Sequence, residues 1–200
     1  MRVAIADYGA GNLRSVVSAF GRAGAEPFVT VDPAAVRDAQ LAVIAGVGHV
    51  ESAARGLAVN RLDDAVRERV VEARPTLGIC VGMQLLFEES DEGGRGLGLL
   101  RGPVRRLRAR RVPHMGWNTL TVGGEQAAIL DGLDGADVYF AHSFAAEPLD
   151  DVTAATVDHD GIVVAAVADG PLAGVQFHPE RSGAAGARLL ENVLAWSRSA

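Results

Sequence analysis

A chain of 200 residues with 48% hydrophobic and 22% charged side chains has the length and the ordinary composition of a globular domain with a full core. Its formal net charge of −6 repels nucleic acid and anionic membrane at long range, so small molecules and proteins are the expected partners, with no nucleic acid and no membrane. The single cysteine, Cys80, excludes an intrachain disulfide and fits a reducing cytoplasm. The first apolar run, Val3 to Ala6, is too short for a signal-peptide core or a membrane span, so a soluble, unprocessed, cytoplasmic protein is expected.

In chain order, Val3 to Ala6 reads as a buried strand and Tyr8 to Asn12 as a glycine-rich turn into a helix. That helix carries Leu13, Val16, Val17 and Phe20 on one face and stops near Gly24. Pro27 to Val31 and Leu41 to Ile44 are the next strands, separated by a helical turn starting at Asp32-Pro33. Leu62, Ala65, Val66 and Val70 mark a helix that ends before Pro75, and Thr76 to Ile79 is a strand running into a helix with Met83, Leu85, Leu86 and Phe87. Continuously apolar strands alternating with helices predict a parallel sheet covered on both faces.

Beyond Ser90 the pattern changes. A loop with Gly93, Gly94, Gly96 and Gly98 is followed by strand candidates at Trp117 to Val122 and Asp137 to Phe144 without long helices between them. Val152 to Val157 and Ile162 to Val167 flank Asp160-Gly161, a hairpin signal because both residues tolerate positive φ. A last strand, Leu172 to Phe177, precedes a helix from Ser182 with Leu189, Leu190, Val193, Leu194 and Trp196 along one stripe. No repeat, low-complexity tract or linker interrupts the chain. The predicted fold is one α/β domain over residues 1–200, with a mixed, largely parallel central sheet flanked by helices and additional antiparallel strands.

Gly78-Ile79-Cys80-Val81-Gly82 sets the cysteine at a strand-to-helix junction with glycines two positions before and after it, the pattern of a nucleophile elbow. The small flanks relieve crowding at a strained turn. A helix start places positive partial charge near the sulfur, and the Val81 N–H can donate to a developing oxyanion. A free cysteine is also commonly a small buried hydrophobe, so a base decides between the readings. Of the five histidines, His178 directly follows a strand and precedes Pro179-Glu180, and in extended chain the imidazole and the carboxylate two residues on project to one side. A base held by a carboxylate is what cysteine activation requires. His159 reads as a solvated loop residue and His142 as a satisfied core histidine, while His49 and His114 could line a site. No histidine pair has metal-ligand spacing, and neither a metal nor a cofactor is expected.

Gly78 to Gln84 together with Gln176-Phe177-His178-Pro179-Glu180 resembles the class I (triad) glutamine amidotransferase family. Within it, Asp7 to Leu13, Gly46-Val47-Gly48, Pro113 to Asn118 and Tyr139 to Ser143 are most similar to the glutaminase subunits of imidazole glycerol phosphate synthases, over essentially the whole chain. The resemblance implies an enzyme of histidine biosynthesis that hydrolyses glutamine through a cysteine thioester, with Cys80 as nucleophile, His178 as general base and acid, and Glu180 as orienting carboxylate. It implies oxyanion and substrate contacts from Val47, Gly48, Val81 and Gln84, and help from the glycine loop. It also implies ammonia transfer to a cyclase (synthase) subunit of (β/α)8 fold, met through Asn12, Pro113, His114, Met115, Trp117, Asn118, Tyr139 and Arg181.

Two positions depart from the family pattern: Ala45 stands where proline is common before Gly-Val-Gly, and Arg181 where lysine often follows His-Pro-Glu. Trp117, by itself compatible with a core position, is placed by the resemblance as an interface anchor. The arginines between Arg101 and Arg111 read as a solvated or protein-facing strand in an acidic chain without a nucleic-acid motif. A stand-alone hydrolase of γ-glutamyl compounds would share the elbow and the histidine, and a non-catalytic interaction module would have no need of all three residues.

Overall fold

A computed structural model describes residues 1–9, 11, 13–123 and 128–199. The first half alternates β1 (Arg2–Ala6), α1 (Leu13–Arg22), β2 (Glu26–Thr30), α2 (Pro33–Asp38), β3 (Leu41–Gly46), α3 (Val50–Val59), α4 (Leu62–Val71), β4 (Thr76–Cys80) and α5 (Val81–Gln84). Asp32 starts α2 as its N-cap, accepting the Ala34 N–H at 2.9 Å, with Pro33 in the first turn, where its missing N–H has no cost. α3 is not among the elements expected from the sequence, although Val50, Ala53 and Leu57 recur at helical spacing and are its buried residues. The second half holds β5 (Glu89–Ser90), β6 (Pro103–Arg106), β7 (His114–Thr119), β8 (Thr121–Val122), β9 (Asp137–His142), β10 (Phe144–Ala146), β11 (Thr153–Asp158), β12 (Ile162–Asp169), β13 (Leu172–Val175) and α6 (Gly183–Ser199).

Among the described residues the main sheet runs in the order β2-β1-β3-β4-β13-β12-β11-β8. Its first five strands are mutually parallel, and β12, β11 and β8 add on antiparallel, which is the mixed sheet the sequence predicts. Alternate residues of one strand serve opposite cores: Val3 and Ile5 of β1, and Leu41, Val43 and Ala45 of β3, pack with α1 and α6. Ala4, Ala6, Ala42 and Ile44 pack with α3, α4 and α5. Burial on both faces explains why these strands read as unbroken apolar runs.

Several boundaries differ from the sequence reading. The helix expected to carry Leu85, Leu86 and Phe87 is the single turn Val81–Gln84. The carbonyls of Leu85, Leu86 and Phe87 accept instead from the N–H groups of Leu97, Leu99 and Gly98 at 2.7, 2.8 and 2.9 Å, so the glycine loop competes successfully with helix propagation. The expected strand Trp117 to Val122 divides at Leu120 into β7, paired with β9, and β8, paired with β11. Asp137 to Phe144 likewise divides at Ser143, sending β10 to a small sheet with β6 and β5. The predicted hairpin joins Asp158 to Ile162, with Asp160 and Gly161 both at positive φ, 55° and 140°.

Arg69 is a structural residue that sequence reasoning missed. It is wholly buried on α4, and its guanidinium donates to the carbonyls of Val36, Arg37, Ala39 and Pro75 and to Thr76 Oγ1. Burial first, and then the neighbouring Arg74, lower its pKa to about 10. It ties α2 and α4 to the start of β4, the strand that leads to Cys80.

Candidate active site

β4 ends at Cys80 and α5 begins at Val81, with Cys80 itself at φ 54°, ψ −111°, a conformation strained for any residue with a Cβ. The glycines on either side are needed for close approach. A Cβ on Gly82 would lie 1.7 Å from the Ile44 carbonyl oxygen of the adjacent strand, and one on Gly78 would lie 2.6 Å from the Gly82 carbonyl carbon. The elbow predicted from the five-residue pattern is therefore present, held by strand packing beneath it.

The register of the sheet brings the histidine to this point. β13 runs parallel to β4 with Gly174 opposite Gly78 and Val175 opposite Ile79, so the chain leaving β13 emerges beside Cys80. This is the carboxyl-end edge of a parallel sheet, where open α/β folds place their sites. His178 is fixed by its own N–H to the Tyr139 carbonyl at 2.9 Å, and the Ser182 hydroxyl donates to the His178 carbonyl at 2.6 Å. Its Nδ1 donates to Glu180 Oε1 at 2.8 Å. Nε2 and Glu180 Oε2 are buried without partners among the described residues. Cys80 is 3% and His178 4% exposed. A cavity beside them is lined by Ala45, Gly46, Val47, Ile79, His178 and Glu180.

Burial by itself lowers the pKa of His178. The interactions with Cys80 and Glu180 outweigh it and push the imidazole up to about 10. With Nδ1 committed to Glu180, Nε2 is the nitrogen left to exchange a proton with the sulfur or with a leaving group.

The remaining expected site residues fall into groups. Val81 starts α5 directly after the cysteine, and Val47 and Gly48 form an exposed loop at the end of β3, with Gly48 at φ 105°. Gly46 stands opposite Cys80 in the sheet, so this loop leaves the strand beside the sulfur. Gln84 is 3% exposed, and both protons of its amide are committed, to the Phe144 carbonyl at 2.8 Å and Gln176 Oε1 at 3.0 Å.

Met115 and Trp117 point outward from β7, 66% and 59% exposed. Trp117 lies opposite Tyr139 on β9, edge to face with ring centres 6.0 Å apart, and the Arg181 guanidinium lies 4.2 Å above the Tyr139 ring. Pro113 is exposed, whereas His114 turns inward and is buried, and Asn118 Nδ2 donates to the Asp158 carbonyl and to His114. Asn12 lies outside the described residues. His142 is a satisfied core histidine, as expected. His159 lies in the turn before Asp160, as expected, but is half-buried and not fully solvated: its ring stacks on His114 at 4.0 Å, and its Nε2 lies 2.7 Å from the Arg111 carbonyl oxygen.

Three further residues had no assigned role in the sequence reading. Tyr8 is buried with its hydroxyl unpartnered among the described residues, and burial and then Cys80 raise its pKa. Glu92 accepts the Val50 N–H at 3.2 Å at the start of α3 and lies 3.0 Å from His49 Nδ1. Gln176 donates toward Cys80 Sγ at 3.6 Å. Its place within the Gln176 to Glu180 motif was the available signal.

Sheet, elbow and imidazole–carboxylate pair together define an α/β protein of the nucleophile-elbow type, with a cysteine at the apex. The family model for class-I glutamine amidotransferases matches residues 4–196. The imidazole glycerol phosphate synthase subunit HisH of Rhodospirillum rubrum is 44% identical, covering 98% of this chain and 100% of that protein. The subunit of the same name from Methanothermobacter thermautotrophicus is 42% identical, covering 96% and 97%. Among solved structures, a glutamine amidotransferase superposes with TM-score 0.79 at 21% identity over 98% of both chains. The glutaminase domain of Trypanosoma brucei CTPS with bound acivicin superposes with TM-score 0.72 at 15% identity, over 100% of this chain and 94% of that one. The chain belongs to the class-I glutamine amidotransferase family.

Proposed function

We propose that this protein is the glutaminase subunit of an imidazole glycerol phosphate synthase, with residues 1–200 acting as one catalytic domain in histidine biosynthesis. The observation that carries the reading is the alignment of the Cys80 elbow with the His178–Glu180 pair at the carboxyl ends of β4 and β13. Relatives at 38 to 44% identity over nearly the full chain supply the synthase.

Cys80 Sγ attacks the side-chain carbonyl carbon of glutamine, and the oxyanion accepts hydrogen bonds from Val81 N–H and from the Val47–Gly48 loop. Protonated His178 gives its Nε2 proton to the departing nitrogen, which leaves as ammonia when the C–N bond breaks. A water then attacks the γ-glutamyl thioester while Nε2 accepts its proton, and C–S cleavage releases glutamate and regenerates the sulfur anion. Glu180 holds the imidazole with Nε2 toward the reaction and stabilises its positive charge.

The ammonia passes to a cyclase subunit of (β/α)8 fold, for which the exposed Met115, Trp117, Tyr139 and Arg181 offer aromatic and cationic anchors. No helix among the described residues is long and apolar enough to cross a membrane, and we place the reaction in the cytoplasm. Incubation with a glutamine-like electrophile tests the assignment: the mass increment is expected on the Cys80 peptide, and loss of glutaminase activity without labelling of Cys80 would overturn it.

A further inference from the structure

The amide nitrogen of Gln176 is directed at the Cys80 sulfur, 3.6 Å away. Gln176 is completely buried and is anchored through its own N–H to the Ala165 carbonyl at 2.8 Å. The orientation of its amide is fixed by the surrounding network. The Phe144 carbonyl can only accept, so the Gln84 group facing it at 2.8 Å is the NH2. That same NH2 reaches Gln176 at 3.0 Å, so the Gln176 atom meeting it is the oxygen, and the Gln176 NH2 is left facing the sulfur. The Phe144 carbonyl is itself pinned by His142 Nδ1 at 2.8 Å, which must donate. His142 Nε2 therefore accepts from His114 Nδ1 at 3.0 Å, and His114 Nε2 accepts from Asn118 Nδ2 at 3.2 Å. Every proton in the chain from β7 to the nucleophile thus has one consistent direction, provided that both imidazoles are neutral. Burial keeps them so, lowering His142 to about 3 and His114 to about 4.

We infer that Gln176 is a further catalytic residue, a fixed hydrogen-bond donor to the sulfur anion of Cys80, and that Gln84 is the positioning residue that prevents the Gln176 amide from turning over. A donor to the charged form favours the thiolate for attack and again as the leaving group when the thioester is hydrolysed. A flipped amide would present its oxygen to the anion and repel it. The hydrogen bonds of Gln176 among the described residues run to Gln84, Cys80 and Ala165, and none to the loop at Val47, so its effect is expected in the chemical step and not in substrate affinity.

The inference rests on Cys80 being the nucleophile, and its test separates the two. Gln176→Met keeps the length and removes the donor. Glutamine hydrolysis in the presence of the cyclase subunit and its nucleotide is expected to lose about tenfold in kcat, the equivalent of one hydrogen bond to a charged group, with KM within about twofold. Alkylation of Cys80 by iodoacetamide in the isolated chain is expected to slow by a similar factor. Unchanged kcat and alkylation rate, or a change in KM alone, overturns the role. Alkylation of the unsubstituted protein supplies a second measurement, in which the side-chain 15N–1H signals of Gln176 are expected to shift when Cys80 is modified; no shift overturns the contact. Failure of the unsubstituted protein to turn over glutamine at all would instead remove the glutaminase reading.

Discussion

His178 and Glu180 are separated by one proline, yet their side chains meet at 2.8 Å, because Pro179 opens a single 3-10 turn that folds the carboxylate back under the imidazole. His178 at φ −100°, ψ 97° is still extended and Glu180 already lies within that turn. The pair is assembled from chain-local geometry, and the pairing of β13 with β4 sets it beside Cys80.

Its protonation depends on the cysteine. Burial lowers the pKa of His178, and Cys80 and Glu180 together raise it to about 10. A raised imidazole contributes stability that is complete below its unfolded value of about 6.5 and is lost as the pH climbs toward the folded value. In Cys80→Ala one of the two raising partners is gone, so the NMR titration midpoint of His178 is expected to move down, and the alkaline loss of stability, which still begins near the unfolded value, is expected to be smaller and to end at lower pH. Glutamine turnover is expected to vanish while the fold remains, since alanine retains the small Cβ that the elbow accommodates. An unmoved His178 midpoint would show that the sulfur is not the group that charges the imidazole.

Glu180→Gln retains an oxygen that can accept from Nδ1 and removes the negative charge. Loss of one charge-assisted hydrogen bond corresponds to about 10- to 150-fold, so glutamine hydrolysis should fall by that order and remain measurable. The variants at Cys80 and His178, which remove atoms that make or break bonds, should be more severely impaired. Equal deficits in all three, measured by glutamate release in the presence of the cyclase subunit, would give Glu180 a part in bond making.

The elbow and the His178–Glu180 pair were legible in the sequence because each is built from residues that are near neighbours in the chain, and because Gly78 and Gly82 stand where a Cβ does not fit. The neighbourhood of β4 and β13 was not legible: strands separated by most of the second half of the chain pair through register, and no local pattern encodes their adjacency. The division of Asp137 to Phe144 between two sheets was hidden for the same reason, since one alternating run serves β9 and β10 with different partners. α5 read as too long because Leu85, Leu86 and Phe87 have the apolar spacing of a helix, while the loop that takes their carbonyls lies ten and more residues further on. The burial of Arg69 contradicts its residue type, and only the converging carbonyls of α2 and β4 explain it.

Those carbonyls give Arg69 a measurable role. Arg69→Met fills similar volume and leaves the carbonyls of Val36, Arg37, Ala39 and Pro75 without their donor. Unsatisfied buried acceptors cost roughly 1–3 kcal/mol each, partly relieved by water and rearrangement, so a destabilisation of about 3 kcal/mol or more is expected in urea unfolding. The residual folded protein should keep its glutaminase chemistry, because Arg69 touches none of Cys80, His178 or Glu180. Stability within about 0.5 kcal/mol of the unsubstituted protein would mean that the network is replaceable by solvent.

Glutamine hydrolysis by the isolated chain is expected to be slow, and a cyclase subunit carrying its nucleotide ligand should accelerate it by at least about a hundredfold, roughly what one oxyanion donor contributes. We propose the loop after β3 as the source of the missing donor. Gly46 is held opposite Cys80 by the sheet, so the strand itself cannot supply a mobile group, and the first peptide free to turn is that of Val47, followed by Gly48 at φ 105°. Gly11 restricts it from the other side: a Cβ there would lie 2.9 Å from the Gly46 Cα and 3.4 Å from the Val47 nitrogen, so the N-terminal glycine turn lies directly on this peptide. A partner bound through Met115 and Trp117 changes the rate only if it interacts differently with the two orientations of that peptide. Ala45 lacks the constraint of a proline and sits inside β3 opposite Ile79, leaving the loop to sample the donating orientation on its own, so a basal rate above zero is expected. Glutamate production is to be compared for the chain alone, with the cyclase subunit, and with subunit and nucleotide together. A stepwise rise supports a donor recruited by the complex, whereas equal rates in all three would mean that the Val47 peptide already points at the oxyanion and that the chain works as a self-sufficient hydrolase.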